Sequence, residues 1–517
     1  MIKRLGSATL AVFCAIGAAQ GAQTVWNTAA SGDWNVAGNW SSGIPDDATE
    51  DAVIGTAGDY TVSLTGAMYP VLTNLTLTVT NTNARLDVAG VDYRLAAGVV
   101  TNEFVLRGGA GGTGTVTWAT GGIDTGNGVE ANRGDILVEQ GASLYTTNTT
   151  ILCRNLYVRT GATLTLGGPS NPALTVRNGG TGYIYLHHGG VIRCGPGTIT
   201  IRNSQVRMEN NSTNFGRSTL ILEGATLNAT VSMANISSGL GSLFEIRSGS
   251  GSFSSVTIGR TATAGGILDE MKVSGGNTTC SGSIQVGNAG SSDKAHGIYT
   301  QTGGQLSCMT TFVGAHAPPN GGGGYFNLSG GTNTVKVLQL YTDDTATNAN
   351  NFGTRQFVVG TNAVMRFNGA GMQATGTNGW LMNFSAATND FGTPGAIVYD
   401  PSGVSTQTLL AFARDEGQDF SMMTSNTAIG TLDLTGLDGV EKLVVQAASN
   451  ETVNAVYVDN LVGLSDTEAA AHVDSALNIY YNKLKSVEMN RMRISLAGGG
   501  ALIPLPKIPP GTIIKIY

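Results

Sequence analysis

Apolar and polar positions in the middle of the chain repeat at a nearly constant interval. Four short motifs recur at steps of 27, 28 and 27 residues: Ile246-Arg-Ser-Gly249, Val273-Ser-Gly-Gly276, Gln301-Thr-Gly-Gly304 and Leu328-Ser-Gly-Gly331. One apolar column precedes these glycines, at Phe244, Met271, Tyr299 and Phe326. A second column follows them, at Ile258, Val286, Val313 and Leu340. A period of this length is typical of a stacked solenoid, and the two columns are its predicted core.

The segment that leads to the second column alternates with a period of two, which is the pattern of a β-strand. The alternating partners are Val256, Ile284, Thr311 and Leu338. Three copies then close with a glycine that suits a tight turn, at Gly259, Gly287 and Gly314, whereas the fourth has Tyr341. One such unit cannot bury its apolar face alone, but stacked coils can. The pattern predicts an all-β fold, a right-handed parallel β-helix over residues 101–400, clearest at 244–341, with final coils over 401–464.

The amino-terminal segment, residues 23–100, is predicted to be a cap with the first strands. It holds Trp26, Trp34 and Trp40 within fifteen residues. These rings suit a sugar-stacking platform, but covering the open end of the coil stack is the favoured interpretation, because an uncapped end exposes apolar area and unpaired strand edges.

The other end, residues 465–517, is predicted to hold a capping helix, a strand and a tail. Ser465-Asp-Thr-Glu468 forms the pattern of a capping box, which marks the start of a helix. Helical spacing then continues through Ala469, Ala470, Val473, Ala476, Leu477 and Tyr480. Residues 492–496 read as a strand. Use of the apolar stripe to close the β-helix is favoured over use as a partner-binding surface.

The first 22 residues have the layout of a secretory signal peptide. Lys3 and Arg4 precede an apolar run from Leu5 to Ala19, and small residues continue to Ala22. The run is short for a membrane span, and no other segment is long and apolar enough to be one. The expectation is a chain cleaved near Ala19 to Ala22 and located outside the cell or on its outer surface, without a transmembrane segment in the mature protein.

Composition narrows the class of protein further. Glycine accounts for 74 of 517 residues, charged residues for 12% and hydrophobic residues for 41%. That hydrophobic content is too high for a disordered chain. The formal net charge of −7, and the lack of interleaved aromatic and basic residues, argue against nucleic acid as a partner.

Three stretches resemble a known group of proteins. They are the opening from Trp26 to Ile54, the motif G-x-Y-x-Q-x-G-G-x-L at 297–306 and the segment from Asn454 to Gly463. They are similar to the large exported, autotransporter-like β-helix proteins of Verrucomicrobia, Kiritimatiellae and Planctomycetes. The resemblance implies a surface or extracellular-matrix protein and, since its motifs are architectural, no particular chemistry. Many such proteins end in a PEP-CTERM sorting signal, which residues 498–517 do not match.

Two cysteines share one repeat position. Cys280 and Cys308 stand where the other copies have Phe253 and Val335, so adjacent coils would place them within disulfide range in an exported protein. Small buried side chains in an inward column are the favoured interpretation. No cysteine has metal-ligand spacing, and neither a metal site nor a cofactor is predicted.

A basic stretch precedes the clear repeats. Its members are Arg154, Arg159, Arg177, His187, His188, Arg193, Arg202 and Arg207. If they share a face, they would bind an anion of an acidic polysaccharide or another cell-envelope component. Their irregular spacing leaves a shared face open.

The alternative function is a polysaccharide lyase or glycosidase on the same fold, which would need carboxylates on neighbouring coils. The acidic pairs are isolated: Asp46-Asp47, Asp269-Glu270, Asp343-Asp344 and Asp415-Glu416. Neighbours on a strand point to opposite faces, so solvated turns are the favoured interpretation. The sequence therefore favours a non-enzymatic surface scaffold or adhesin with a glycan-binding capacity.

Overall fold

The fold is described from a computed structural model of the chain. The described residues are 22–46, 50–66, 71–72, 76–80, 84–94, 103–108, 114–126, 133–167, 173–176, 182–195, 199–209, 216–234, 241–259, 268–287, 296–314, 324–341, 355–360, 362–375, 380–383, 395–400, 404–411, 413–424, 428–447, 454–489 and 492–505.

Nearly all regular structure in these residues is β. The strands are β1 Ala22–Val25, β2 Gly32–Asp33, β3 Glu50–Ile54, β4 Tyr60–Thr65, β5 Val71–Leu72, β6 Thr76–Val79, β7 Ala84–Ala89, β8 Val91–Arg94, β9 Glu103–Gly108, β10 Gly114–Trp118, β11 Gly121–Asp124, β12 Asp135–Val138, β13 Ala142–Thr147, β14 Thr149–Cys153, β15 Leu156–Val158, β16 Thr163–Gly167, β17 Ala173–Val176, β18 Tyr183–Leu186, β19 Val191–Cys194, β20 Ile199–Glu209 and β21 Ser218–Glu223. They continue as β22 Ala225–Ala234, β23 Ser242–Ser248, β24 Ser250–Phe253, β25 Ser255–Ile258, β26 Leu268–Val273, β27 Asn277–Val286, β28 His296–Val313, β29 Gly324–Tyr341, β30 Arg355–Val359, β31 Ala363–Thr375, β32 Trp380–Asn383, β33 Ala396–Tyr399, β34 Thr406–Ala411, β35 Ala413–Arg414, β36 Ile429–Asp433, β37 Lys442–Ala447, β38 Asn454–Val462, β39 Val473–Ser475, β40 Asn478–Asn482, β41 Ile494–Ser495 and β42 Ala501–Leu505. Helix α1 spans Asp466–His472, and 3-10 turns span Ala37–Asn39 and Phe420–Thr424.

The strands stack into three parallel ladders, as a parallel β-helix requires. Ladder A joins β1, β3, β6, β9, β12, β15 and β18, then the last parts of β20 and β22, then β25, the last parts of β27, β28, β29 and β31, and finally β34, β37 and β39. Ladder B runs from β2 and β4 through β19 and β21 to β30 and β32. Ladder C contains β5, β8, β11, β14, β17 and the first part of β20 and, further along, the run from β24 through β36, β38 and β40 to β42. The predicted β-helix is confirmed.

The repeat seen in the sequence is the length of one coil. Ile246 lies in register with Val273, Val273 with Gln301, and Gln301 with Leu328. Coils elsewhere differ, from 20 residues between Ile136 and Leu156 to 37 between Gly371 and Thr408. Because the bends absorb this difference, the ladders stay in register while the period fades in the sequence.

Both predicted apolar columns are buried in one core. Their members are fully shielded from solvent and face each other in neighbouring strands, as Phe244 faces Met271 and Val286 faces Val313. The first column continues as stacked rings: Tyr299 and Phe326 have centroids 4.6 Å apart at an interplanar angle of 10°. Parallel stacking of this kind follows from the strand spacing of about 4.8 Å.

Glycine stands at the bends because the backbone leaves no room for a side chain. In each of the four motifs the glycine that ends the motif has a positive φ, between 69° and 80°. A Cβ on Gly276 would lie 2.4 Å from the carbonyl oxygen of Gly249, and one on Gly331 would lie 2.3 Å from that of Gly304. The glycine column of the sequence is therefore a column of backbone contacts.

The amino-terminal tryptophans close the first coil. Trp26 and Trp34 are fully buried and Trp40 nearly so. Trp40 packs edge-on against both, at centroid distances of 5.1 Å to Trp26 and 4.7 Å to Trp34, and its indole N–H donates to the Trp34 carbonyl. Their faces are covered, which excludes the sugar-stacking alternative for these rings.

The carboxy-terminal helix is present but shorter than the helical spacing predicts. Ser465 and Glu468 form the predicted capping box, and Ala469 is buried in the core. The helix ends at His472, and the predicted extension to Tyr480 is wrong: β39 and β40, separated by a bend, follow it and join ladders A and C. The structure places strand β41 within the predicted 492–496, antiparallel to β42. No helix in the described residues is long and apolar enough to span a membrane.

Cys280 and Cys308 lie opposite each other in adjacent strands, as their repeat position predicts. Both are buried free thiols. Burial raises the pKa of Cys280 to about 11 and that of Cys308 to about 12, so the thiolate needed for disulfide exchange is scarce. Their column continues with Phe253 and Val335, which fits the interpretation as small core side chains.

Candidate glycan-binding face

The candidate site lies on the outer surface of ladder A, at β15, β18 and the last part of β20. Inward positions of these strands are apolar and buried, as Ile184 and Val206 show. Outward positions alternate with them. The residues of this surface, here called the tyrosine face, are Tyr157, Arg159, Tyr183, Tyr185, His187 and Arg207.

The aromatic rings of the tyrosine face form a stack. Tyr157 and Tyr185 are in register on adjacent strands, with centroids 4.9 Å apart and ring planes only 6° from parallel. His187 lies nearly parallel to both, 6.3 Å from Tyr185 and 6.4 Å from Tyr157. The rings therefore cover part of each other's faces and present edges and polar atoms outward.

Two arginines lie over these rings. The guanidinium carbon of Arg207 is 4.4 Å from the centroid of Tyr183 and 5.7 Å from that of Tyr185, and that of Arg159 is 5.0 Å from Tyr157. Cation–π contacts at this distance hold the guanidinium planes in place. Arg207 also donates through Nε to Gln205 Oε1 at 3.0 Å. None of the described carboxylates forms an ion pair with either arginine.

His187 does not add a positive charge. Its own burial, with Arg159 and then His188 nearby, lowers its pKa to about 4, so the ring is neutral at neutral pH. Within the described part of the chain its Nε2 atom is buried without a hydrogen-bond partner. The cationic character of the tyrosine face therefore comes from the two arginines.

The predicted basic set does not share one face. The structure brings together Arg159, His187, Arg207 and also His188, whose ring is 6.3 Å from that of His187. Arg193 lies on ladder B, 3.7 Å from Glu223, and Arg202 is exposed on ladder C. Arg177 lies outside the described residues.

Arg154 has a structural partner instead of an open site. Its Nε and a terminal nitrogen donate to the two carboxylate oxygens of Asp135, at 2.8 and 2.9 Å. Asp135 is nearly buried and also accepts from the side chain and backbone of Asn155. A buried carboxylate needs such partners, so this bidentate ion pair is structural. It holds the bend between β14 and β15 in place.

The predicted set lacks the three tyrosines, which are half of the six residues of the tyrosine face. The signal that reveals them is the alternation itself. In Tyr183-Ile-Tyr185-Leu186, and in Leu156-Tyr157-Val158, the apolar partners face the core and place each tyrosine outward.

The predicted acidic pairs do not assemble a catalytic site in the described residues. Asp269 is buried while Glu270 faces outward and pairs with Arg217 at 3.0 Å, as expected for neighbours on a strand. Asp415 accepts from Tyr480 and Asn478. Asp47, Asp343 and Asp344 lie outside the described residues.

No group of three or more His, Cys, Asp or Glu side chains within the described ranges is arranged to hold a metal ion. Comparisons with protein-family models, with curated proteins and with solved structures found no match to this chain. The fold defines the protein as a β-solenoid, a class that hosts many unrelated functions.

Proposed function

We propose that this protein is an exported β-helix scaffold or adhesin of the bacterial surface or extracellular matrix, and that it binds acidic polysaccharide through the tyrosine face. The observation that carries the proposal is the pair Arg159 and Arg207. Both lie on aromatic rings without a carboxylate partner among the described residues, in a chain whose formal net charge is −7. Other arginines, such as Arg154, Arg217 and Arg247, are neutralised by ion pairs.

The chemistry of the face suits a carboxylated or sulfated glycan. A guanidinium held by a cation–π contact keeps N–H donors for an anion, and Arg matches carboxylate and sulfate geometry. Burial, together with Asp135 and Tyr185, raises the pKa of Tyr157, so its hydroxyl stays protonated and can donate to sugar oxygens. Since stacked rings cover each other, recognition uses ring edges, hydroxyls and guanidinium groups.

Strand stacking repeats these groups along the solenoid. Tyr157, Tyr185 and Arg207 occupy successive strands of ladder A, each about 4.8 Å from the next. A polymer lying along this axis would meet several contacts at once, and such multivalency raises the affinity of weak single contacts. Export is supported by the leader-like residues 1–22 and by the resemblance of residues 26–54 to exported β-helix proteins.

Binding is tested with the mature chain and polygalacturonate, with dextran as the uncharged comparison. The double variant R159Q/R207Q removes the two guanidinium groups that have no carboxylate partner among the described residues, and R202Q is the matched control because Arg202 is exposed on ladder C. Loss of two charge-assisted hydrogen bonds should weaken binding by about tenfold or more, whereas R202Q should leave it within about twofold. Added salt should weaken binding to the wild type more than to the double variant. Equal affinity for dextran and polygalacturonate, or equal losses in both variants, would contradict the proposal.

Export is tested separately by expressing the full chain in a Gram-negative host and measuring the mass of the protein outside the cytoplasm. The expected product begins between residues 19 and 23. A charged residue in the apolar run, V12R, should block its appearance. A full-length chain that stays in the cytoplasm would refute export without bearing on glycan binding.

A further inference from the structure

A second concave site lies on the outer surface of ladder C. Strands β8, β11 and β14 place six side-chain positions in two rows there. The first row is Asp92, Gly122 and Thr150, and the second is Arg94, Asp124 and Leu152. Together they line a cavity of about 240 Å³, here called the Gly122 notch.

The glycine that opens this notch is not required by the fold. Its φ is outside the left-handed region, and a Cβ there would come no closer than 3.4 Å to Asp92 Oδ1 and 3.6 Å to the Thr150 carbonyl. By contrast, a Cβ on Gly275 would lie 2.3 Å from the Arg247 carbonyl. A residue with a side chain would fit at position 122 and would stabilise the strand. The glycine there therefore keeps the notch open and is not needed by the backbone.

The walls of the notch supply both acceptors and donors. Arg94 donates to Asp92 at 2.9 Å, which fixes both side chains, and Asp124 Oδ1 accepts from the Gly126 backbone at 2.8 Å. Thr150 adds a hydroxyl group and Leu152 an apolar surface. The two carboxylates and one guanidinium give a formal charge of −1, which disfavours an anion.

We propose that the Gly122 notch binds one neutral pyranose ring of a glycan. Paired carboxylates and an adjacent guanidinium can bond the hydroxyl groups of such a ring in both directions, and Leu152 can pack on its C–H face. The volume is below the roughly 300–1,000 Å³ of pockets for drug-sized ligands, which suits a single ring. This site is independent of the tyrosine face, since it takes an uncharged ligand on another ladder.

The two sites are joined by a short bend. Thr150 and Leu152 precede the Arg154–Asp135 ion pair, and Tyr157 follows it on ladder A. The ion pair therefore fixes the position of one site relative to the other. A heteropolysaccharide with neutral and acidic units could contact both across this corner.

The test uses the mature chain and four neutral hexasaccharides: cellohexaose, xylohexaose, mannohexaose and chitohexaose, titrated by calorimetry. Two variants probe the site. G122V fills the notch, and D92N/D124N removes its charged acceptors. R202Q, on the same ladder, is the control. At least one sugar should bind the wild type and R202Q equally, and both notch variants should weaken it by about tenfold or more.

A thermal unfolding midpoint for G122V equal to or above that of the wild type would show that the loss comes from the filled notch and not from misfolding. Binding that survives in G122V, or the absence of binding to all four sugars, overturns the proposal. Neither result bears on polygalacturonate binding, which is measured on the tyrosine face.

Discussion

Replacing Gly304 with alanine should destabilise the stack of coils, although the change adds only one methyl group. Gly304 has a φ of 69°, and a Cβ there would lie 2.6 Å from the carbonyl oxygen of Gly276 in the preceding coil. The left-handed conformation costs a residue with a side chain about 1–2 kcal/mol. Overpacking against the neighbouring backbone costs about 1–3 kcal/mol. The expected loss in the free energy of unfolding is therefore about 2–5 kcal/mol.

The matched control is Gly122→Ala, another glycine of the same solenoid. Its backbone is not left-handed and its nearest neighbour would be 3.4 Å from the new Cβ. Alanine there loses less backbone entropy on folding, so the expected change is a stabilisation of about 0.4–1 kcal/mol. The two variants therefore differ in sign although the chemical change is identical.

Guanidinium unfolding followed by both circular dichroism and tryptophan fluorescence measures the two changes. Two probes are needed because coils of a solenoid can unfold separately. Hydrogen exchange gives a local readout, since the Gln305 amide donates to the Gly276 carbonyl at 2.8 Å and should exchange faster in Gly304→Ala. Equal shifts for both variants, or a loss below about 0.5 kcal/mol for Gly304→Ala, would refute the backbone-contact explanation of the repeat.

Three further predictions concern the core and two titrating groups. Phe326→Ala should lower the free energy of unfolding by about 3–5 kcal/mol because the ring is fully buried. Phe312→Ala, on the outward side of the preceding coil, should lower it by less than about 1 kcal/mol. Similar losses in the two variants would contradict the assignment of Phe326 to an inward column. Burial raises the pKa of the Asp269 carboxyl to about 6 from its usual 3.8, so its contribution to the free energy of unfolding is present below pH 4 and lost as the pH rises through 6. Asp269→Asn should remove this pH dependence and raise the free energy of unfolding above pH 6 by about 3 kcal/mol or less. An unchanged pH profile of stability would refute the assignment. His187, whose pKa is lowered to about 4, should show an NMR titration midpoint below pH 5, and a midpoint near 6.5 would mean that the ring is solvated.

The repeat region was predictable because its signals agree. In residues 244–341 the strand alternation, the glycine positions and the coil length all repeat at the same interval. The columns from Phe244 to Phe326 and from Ile258 to Leu340 lie where the alignment places them. Each column position contacts the same position one coil away, so the same residue type is favoured in successive coils. Aligning the repeats of one chain with each other therefore reveals the core positions.

The carboxy-terminal helix shows where such agreement ends. The capping box at Ser465 predicts the start correctly, because it depends on local hydrogen bonds. The end was mistaken since Val473 and Tyr480 have helical spacing but belong to two short strands, and Leu477 lies in the bend between them. Pairing of β39 with β37 and of β40 with β38 decides the outcome, and that pairing is not visible in local spacing.

The tyrosine face was predictable only in part. Nearness in sequence does not place residues on one surface when the chain crosses three ladders in each coil: Arg193 and Arg207 are 14 positions apart but lie on ladders B and A. The lowered pKa of His187 and the carboxylate partner of Arg154 depend on contacts between coils. Alternation alone could have placed Tyr183 and Tyr185 outward.

The unequal coils also determine how the molecule responds to tension. The hydrogen bonds of a parallel ladder run along the solenoid axis, so a force that pulls the two ends apart loads the coils in series, and they peel away one at a time. At about 3.3–3.6 Å per extended residue, the 20-residue coil at Ile136 would release roughly 70 Å of chain and the 37-residue coil at Gly371 roughly 130 Å. A solenoid built in this way would lengthen in steps under load, and the length of each coil would set the size of its step.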